Sequence, residues 1–157
     1  MTMKEYLIEA FLFNDGMNKS MLKKIDELTD KEGCVKYFSH LINSQNKWLQ
    51  RILLFPDDPQ MNWWKPVYQL EDLSKEWNDS INAWINFIEG KTDEQIKEEI
   101  KFKGYDGGTW VCVLEDIALQ LNYHSIHHRA QMQLFIRQQG IEPGFIDYIG
   151  TKYRKIS

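Results

Sequence analysis

The sequence predicts a single all-α domain over residues 1–157, folded as a four-helix bundle. Three of its four prolines fall between Pro56 and Pro66, and long proline-free segments lie on both sides. Because proline costs about 3 kcal/mol inside a helix, such segments favour helices. Apolar residues recur in them at alternating steps of three and four, the spacing of a buried helix face. No alternating strand pattern competes with these helices, so no strands are expected.

The first two predicted helices precede the proline-rich stretch. The first runs from about Lys4 to Leu28. Its predicted buried stripe comprises Leu7, Ala10, Asn14, Met17, Met21, Ile25 and Leu28. The second runs from about Glu32 to Leu54. Its predicted inner side comprises Tyr37, Leu41, Ser44 and Trp48. A loop from Phe55 to about Gln69 follows.

The third helix is predicted from about Leu70 to Ile88, and Gly90 suits its C-terminal end. Its inner stripe comprises Leu70, Leu73, Trp77, Ile81, Trp84 and Ile88. A short helical turn is expected around Asp93 to Ile100, and then extended chain and a tight turn over Phe102–Gly108.

The last helix is predicted to begin after Thr109, a good N-cap residue, and to continue to about Gln139. Gly140 would stop it, and Pro143 lies just beyond. Residues 145–157 are expected to pack loosely across the bundle or to trail off.

Composition excludes several classes of function. The net charge is −4 and the basic residues are scattered, so nucleic acid is not an expected partner. No apolar run approaches the ~18 residues of a membrane helix, and the N-terminus does not have the pattern of a signal peptide. Cys34 and Cys112 form no Cys-x-x-Cys pair, which fits two reduced core thiols and a cytoplasmic location.

Two histidines occupy core positions of the last predicted helix. His124 and His128 continue the stripe of Leu114, Ile117 and Leu121. Being four residues apart, they lie on one helix face and can reach one ion at zinc–nitrogen distances of ~2.0–2.1 Å. A metal ion would satisfy two polar rings whose unpartnered burial costs ~1–3 kcal/mol. His127 should face elsewhere.

A third ligand is expected, because catalytic zinc sites use three protein ligands and leave one position open. His40 lies beside the inner stripe of the second helix and is the one histidine outside the cluster. The alternatives are that the paired histidines are core residues with hydrogen bonds, and that His40 is a surface or cap residue. The zinc-protease motif His-Glu-x-x-His and the paired Glu-x-x-His of di-iron bundles are both absent.

The last predicted helix carries a longer motif. Residues 122–131 read Asn-Tyr-His-Ser-Ile-His-His-Arg-Ala-Gln, and Leu134–Gly140, Pro143 and Asp147 follow. This arrangement resembles the DinB/YfiT-like family, in which His-x-x-x-His-Arg-Gly-Gln precedes an arginine, a glycine, a proline and an aspartate. Ala130 stands where the family usually has glycine. Both residues are small, so the departure leaves the expected metal site intact.

The resemblance extends over essentially the whole chain. Members carry one histidine at the start of the second helix, which matches His40, and Trp48 and Asn14 also fit the family pattern. The resemblance implies a four-helix bundle with a long crossover connection. It also implies a divalent metal, commonly nickel or zinc, bound by His40, His124 and His128.

For function, the resemblance implies a metal-dependent enzyme, because related proteins transfer low-molecular-weight thiols such as bacillithiol or mycothiol. The expected activity is therefore thiol S-transfer or hydrolysis of a small molecule. The alternatives are a metal-stabilised or metal-sensing bundle without catalysis, and a plain interaction module. Asn14, Tyr123 and Arg129 could orient substrate, but packing is the simpler role for Tyr123, helix register for Asn14 and a surface salt bridge for Arg129. The six tryptophans and the family pattern favour a homodimer.

Overall fold

The computed structural model describes residues 1–157, and four long helices form the predicted bundle. The helices are α1 (Met3–Asp26), α2 (Glu32–Leu53), α3 (Leu70–Glu89), a single turn α4 (Asp93–Ile96) and α5 (Leu114–Gln138). The first three long helices begin and end within two residues of the predicted bounds. A capping box closes the start of α1: the Glu5 N–H donates to the Thr2 hydroxyl, and the Thr2 N–H donates to the Glu5 carboxylate.

The order of the helices around the bundle differs from their order in the chain. Helices α1 and α2 each pack against both α3 and α5. Long connections over residues 54–69 and 90–113 make this arrangement possible. As a result α2 and α5, which carry the histidines, are direct neighbours.

The core is centred on the inner stripe of α3, where Trp77 and Trp84 are fully buried. The indole N–H of Trp77 donates to Asp15 Oδ1 at 2.9 Å, and that of Trp84 donates to the Gln45 carbonyl at 2.8 Å. Both buried tryptophans therefore have the polar partner that an indole needs.

The stripe predicted for α1 is only partly correct. Phe11 and Asn18 are buried, whereas Ala10 and Met17 are half-buried. Phe11 stacks on Trp84 of α3, with ring centroids 5.8 Å apart. Phe11, rather than its neighbour Ala10, therefore packs into the core at this level. Asn14 is buried on this stripe as predicted.

The expectation of no strands is wrong. Strands β1 (Glu99–Lys103) and β2 (Thr109–Val113) form an antiparallel hairpin, with Phe102 paired to Trp110. The predicted tight turn joins them, and Gly107 adopts a φ of 75° there. The turn reverses the chain, and the run Trp-Val-Cys-Val has the β-branched and aromatic residues that favour a strand.

The hairpin shortens two predicted helices. Thr109 lies at the start of β2 and does not cap α5, which begins at Leu114. The helical turn expected over residues 93–100 ends at Ile96, because Glu99 and Ile100 belong to β1.

Beyond α5 the chain folds back along α1. A 3₁₀ turn over Tyr148–Thr151 sets the Tyr148 ring edge-on to Phe13 at 5.2 Å. Residues after Thr151 are exposed. None of the helices combines the length and the hydropathy of a membrane-spanning segment. Cys34 is buried and Cys112 half-buried, and both are free thiols.

Candidate metal centre

The neighbouring helices α2 and α5 bring three histidine rings together. The Nε2 atom of His124 lies 3.1 Å from Nε2 of His40 and 3.0 Å from Nε2 of His128. His40 and His128 are buried, and His124 is half-buried. All three potential ligand atoms lie within 4.8 Å of one another. The structure therefore places the three predicted histidines where one ion can contact them all.

In two of the rings, a hydrogen bond from Nδ1 determines that Nε2 is the nitrogen facing the other histidines. His40 Nδ1 donates to the Trp63 carbonyl at 2.8 Å, and His128 Nδ1 donates to the Gln131 side-chain oxygen at 2.6 Å. A neutral imidazole has one N–H, so Nε2 of both rings carries a lone pair. Metal-binding histidines make the same outer hydrogen bonds, which orient the ring and raise its basicity.

Burial keeps the triad neutral. It lowers the pKa of His124 to about 3, and the neighbouring rings of His128 and His40 add to the effect. Burial also lowers the pKa of His40 and His128, although the hydrogen bonds to Trp63 and Gln131 act in the opposite direction. Neutral imidazole is the form that binds a metal ion.

A divalent ion fits this set of donors. Without a metal ion, Nε2 of His124 can donate its one proton to Nε2 of either His40 or His128, but not to both. The Nε2 lone pair of at least one of those two rings therefore receives no hydrogen bond from the other histidines. At zinc–nitrogen distances of 2.0–2.1 Å, tetrahedral ligands lie about 3.3 Å apart, close to the two short separations. No Cys, Asp or Glu side chain joins the group. Three imidazoles with no fourth protein ligand match an open site rather than a closed structural one.

A polar stripe on α2 holds the connecting loop over His40. Ser39 Oγ accepts from the Tyr68 N–H at 3.0 Å, and Asn43 donates to the Pro66 carbonyl at 2.9 Å. One turn further on, Lys47 donates to the Met61 carbonyl. These bonds fix the loop over residues 54–69, which supplies the carbonyl acceptor for His40.

Aromatic rings cover two of the histidines. Trp64 lies parallel to His40, with centroids 3.7 Å apart and an interplanar angle of 8°. Tyr37 stacks on His128 at 5.1 Å. These contacts restrict rotation of the ligand rings.

A cleft of about 230 Å³ reaches the centre from the side of His40 and His124. The other lining residues are Ser44, Trp48, Trp63, Gln120 and Leu121. A small molecule in the cleft would contact the two imidazoles directly. None of the lining side chains is acidic.

The remaining candidates lie elsewhere. His127 is exposed, as predicted, and is not part of the group. Tyr123 is 59% exposed, so the role of packing residue expected for it is wrong. Asn14 is not part of the group and donates to Asn122 Oδ1 at 2.7 Å across the contact between α1 and α5.

The interpretation of Arg129 as a surface salt-bridging residue is also wrong. Arg129 is 1% exposed and donates to Asn14 and Asn18 side-chain oxygens at 2.9 Å each. It forms no ion pair, and burial lowers its pKa to about 10. Its neighbours are amides of α1, so it joins two helices rather than binding substrate.

Sequence reasoning missed the outer acceptors of the centre. Gln131 lies three residues after His128, a spacing that brings two side chains together on a helix, so the sequence contained a usable signal. The carbonyl of Trp63 had none, because backbone groups of a loop have no side-chain pattern.

Comparison with known proteins identifies the family of the chain. No match was found among curated proteins or among solved structures. A sequence model of the DinB family matches residues 34–156, which include α5, all but the first two residues of α2, and all three histidines. The chain therefore belongs to the DinB family.

Proposed function

We propose that the protein is a metal-dependent enzyme that binds one divalent ion, zinc or nickel, through His40, His124 and His128. The observation that carries the proposal is the convergence of three Nε2 atoms on a point that a cleft reaches. The outer hydrogen bonds of His40 and His128 support it, since they leave the inner lone pairs free to bind an ion.

The proposed reaction is transfer of a low-molecular-weight thiol to an electrophile, with hydrolysis of a small molecule as the second possibility. A divalent ion in an open site lowers the pKa of a bound thiol or water, which supplies a nucleophile at neutral pH. The cleft lining has no carboxylate to act as a general base, which favours a nucleophile of this kind.

The residues of the chain have defined roles in this proposal. His40, His124 and His128 bind the ion, while Trp63 and Gln131 orient two of the rings. Trp48 and Leu121 give the cleft apolar walls that exclude water from the reacting groups. In the transfer step a sulfur–carbon bond forms as the bond to a leaving group breaks, and the thiol proton passes to solvent.

The experiment compares zinc-loaded, nickel-loaded and metal-free protein with a panel of thiols and a fluorogenic alkyl halide. The loaded protein should accelerate thioether formation with release of halide, and His124→Ala should remove the acceleration. His127→Ala is the matched control and should retain it. Equal rates for loaded and metal-free protein, across the panel and with hydrolysable esters, would support a metal-stabilised or metal-sensing bundle instead.

We further propose a cytoplasmic homodimer. The free thiols Cys34 and Cys112 suit a reducing compartment. Tyr6, Leu12 and Ile126 leave apolar surface exposed on α1 and α5. Sedimentation at tens of micromolar should give twice the chain mass of 18.8 kDa, and a monomer at that concentration would contradict the dimer.

A further inference from the structure

We propose that Arg51, with Lys47 beside it, binds an oxyanion of the substrate next to Trp48 and Trp63, two walls of the metal-centre cleft, so that the small molecule carries a carboxylate or phosphate group. The inference rests on the proposed function in taking the ligand of this cleft to be the substrate. It adds the charge of that ligand and the residue that recognises it.

Two cations are buried here without an ion pair. Lys47 is 2% exposed and Arg51 is 5% exposed. No carboxylate oxygen lies within 4.0 Å of either one. Burial lowers the pKa of Lys47 to about 8 and also lowers that of Arg51. Asp58 is the one acidic residue that acts on both in the opposite direction, and its buried Oδ1 has no hydrogen-bond partner. Buried cations are normally paired, so the local excess of positive charge calls for an anion.

Four aromatic rings surround the Arg51 guanidinium. The Cζ atom lies 5.0 Å from the Trp48 ring, 4.9 Å from Trp63, 5.4 Å from Phe102 and 5.5 Å from Tyr105. These rings stabilise the charge, but they do not accept hydrogen bonds from the five in-plane N–H groups. Burial lowers the pKa of Arg51, and Tyr105 acts in the opposite direction.

Lys47, unlike Arg51, has a hydrogen-bond acceptor in the protein. Its ammonium donates to the Met61 carbonyl and lies 4.1 Å from the Trp63 ring. Lys47 therefore adds positive charge while it holds the loop. The planar fork of Arg51 is the group suited to two parallel bonds with an oxyanion.

Arg51 does not itself line the cleft, but it lies next to two of the cleft walls. His40, Ser44 and Trp48 line the cleft on successive turns of α2, and Arg51 lies on the next turn. Both Trp48 and Trp63, against which the guanidinium packs, form cleft walls. Arg51 is eleven residues from His40, about 16 Å along the helix axis, so an elongated ligand would place its anionic group away from the metal centre.

The test uses metal-free protein and the fluorescence of its tryptophans, two of which line the cleft. Succinate and inorganic phosphate are the oxyanion probes, succinamide is the uncharged analogue of succinate, and ionic strength is held constant. We expect saturable binding of at least one oxyanion with a dissociation constant of about 1 mM and none of succinamide. Comparing the two probes distinguishes a carboxylate ligand from a phosphate ligand.

Arg51→Met should weaken oxyanion binding about tenfold or more, whereas Arg137→Met, the same change at an exposed position of α5, should not affect it. Arg51→Lys keeps the positive charge but loses the planar guanidinium, so it should bind the oxyanion with intermediate affinity. This variant keeps the test valid even if Arg51→Met fails to fold. Saturable binding of neither oxyanion beyond the response to succinamide, or unchanged affinity in both Arg51 variants, would overturn the proposal and leave Arg51 as an aromatic-stacked structural residue. Because no metal is present, that result would leave the metal proposal intact, and failure of metal binding would leave this one intact.

Discussion

The hydrogen bond between Gln131 and His128 gives a sharp test of the metal centre, because Gln131 is not itself a ligand. Its side-chain oxygen accepts from His128 Nδ1 at 2.6 Å, on a ring that is 7% exposed. Gln131→Ala removes the acceptor and leaves the N–H of a buried ring unpaired. Loss of such an outer partner weakens metal binding about 10–100-fold, equivalent to about 1.4–2.7 kcal/mol.

Isothermal titration with zinc against a competing chelator measures this change. Gln138→Ala, the same substitution at an exposed position of α5, is the matched control and should bind like the unmodified protein. Gln131→Glu keeps an acceptor and should retain the affinity. Binding by Gln131→Ala within about twofold of the unmodified protein would refute the reasoning that outer hydrogen bonds orient the ligand rings.

Two further predictions concern stability. Arg129→Ala should lower the free energy of unfolding by about 1–3 kcal/mol for each buried oxygen of Asn14 and Asn18 that loses its donor, and urea denaturation beside the exposed control Arg137→Ala measures it. An effect no larger than that of the control would contradict the buried network. In metal-free protein the free energy of unfolding should fall as the pH drops from about 6.5 towards 5, because the unfolded chain binds protons that the folded triad, with lowered pKa values, does not. Urea midpoints across this range should show a smaller slope for His124→Asn, and equal slopes would count against a neutral, buried triad.

Much of the fold could be predicted because periodic apolar positions coincide with helices. The stripe of α3 from Leu73 to Ile88 is buried as expected, and its helix bounds are nearly correct. The hairpin was missed because its strands are only five residues each. Residues Glu99–Lys103 do alternate between polar and apolar, but the run is short and its partner Thr109–Val113 does not alternate. Thr109 is a good cap by residue type, but the glycine turn before it reverses the chain into a strand.

The triad could be predicted for a different reason. His124 and His128 interrupt an apolar stripe, and polar rings on a core face need partners. Arg129 was misjudged because sequence places it next to His128 without revealing that its side chain faces the amides of α1. The environment of Arg51 depends on rings from α2, the following loop and the hairpin, which only the tertiary structure brings together.

The most direct test of the central claim is zinc titration of four single variants, with nickel titrated in parallel. His40→Ala, His124→Ala and His128→Ala should each sharply reduce the affinity for one divalent ion, because each removes an Nε2 atom from the common point. His127→Ala removes an exposed ring from the same helix and should leave the affinity and the stoichiometry unchanged. If His127→Ala abolishes binding while His40→Ala does not, or if the unmodified protein binds neither ion, the assignment of the triad as a metal centre is wrong.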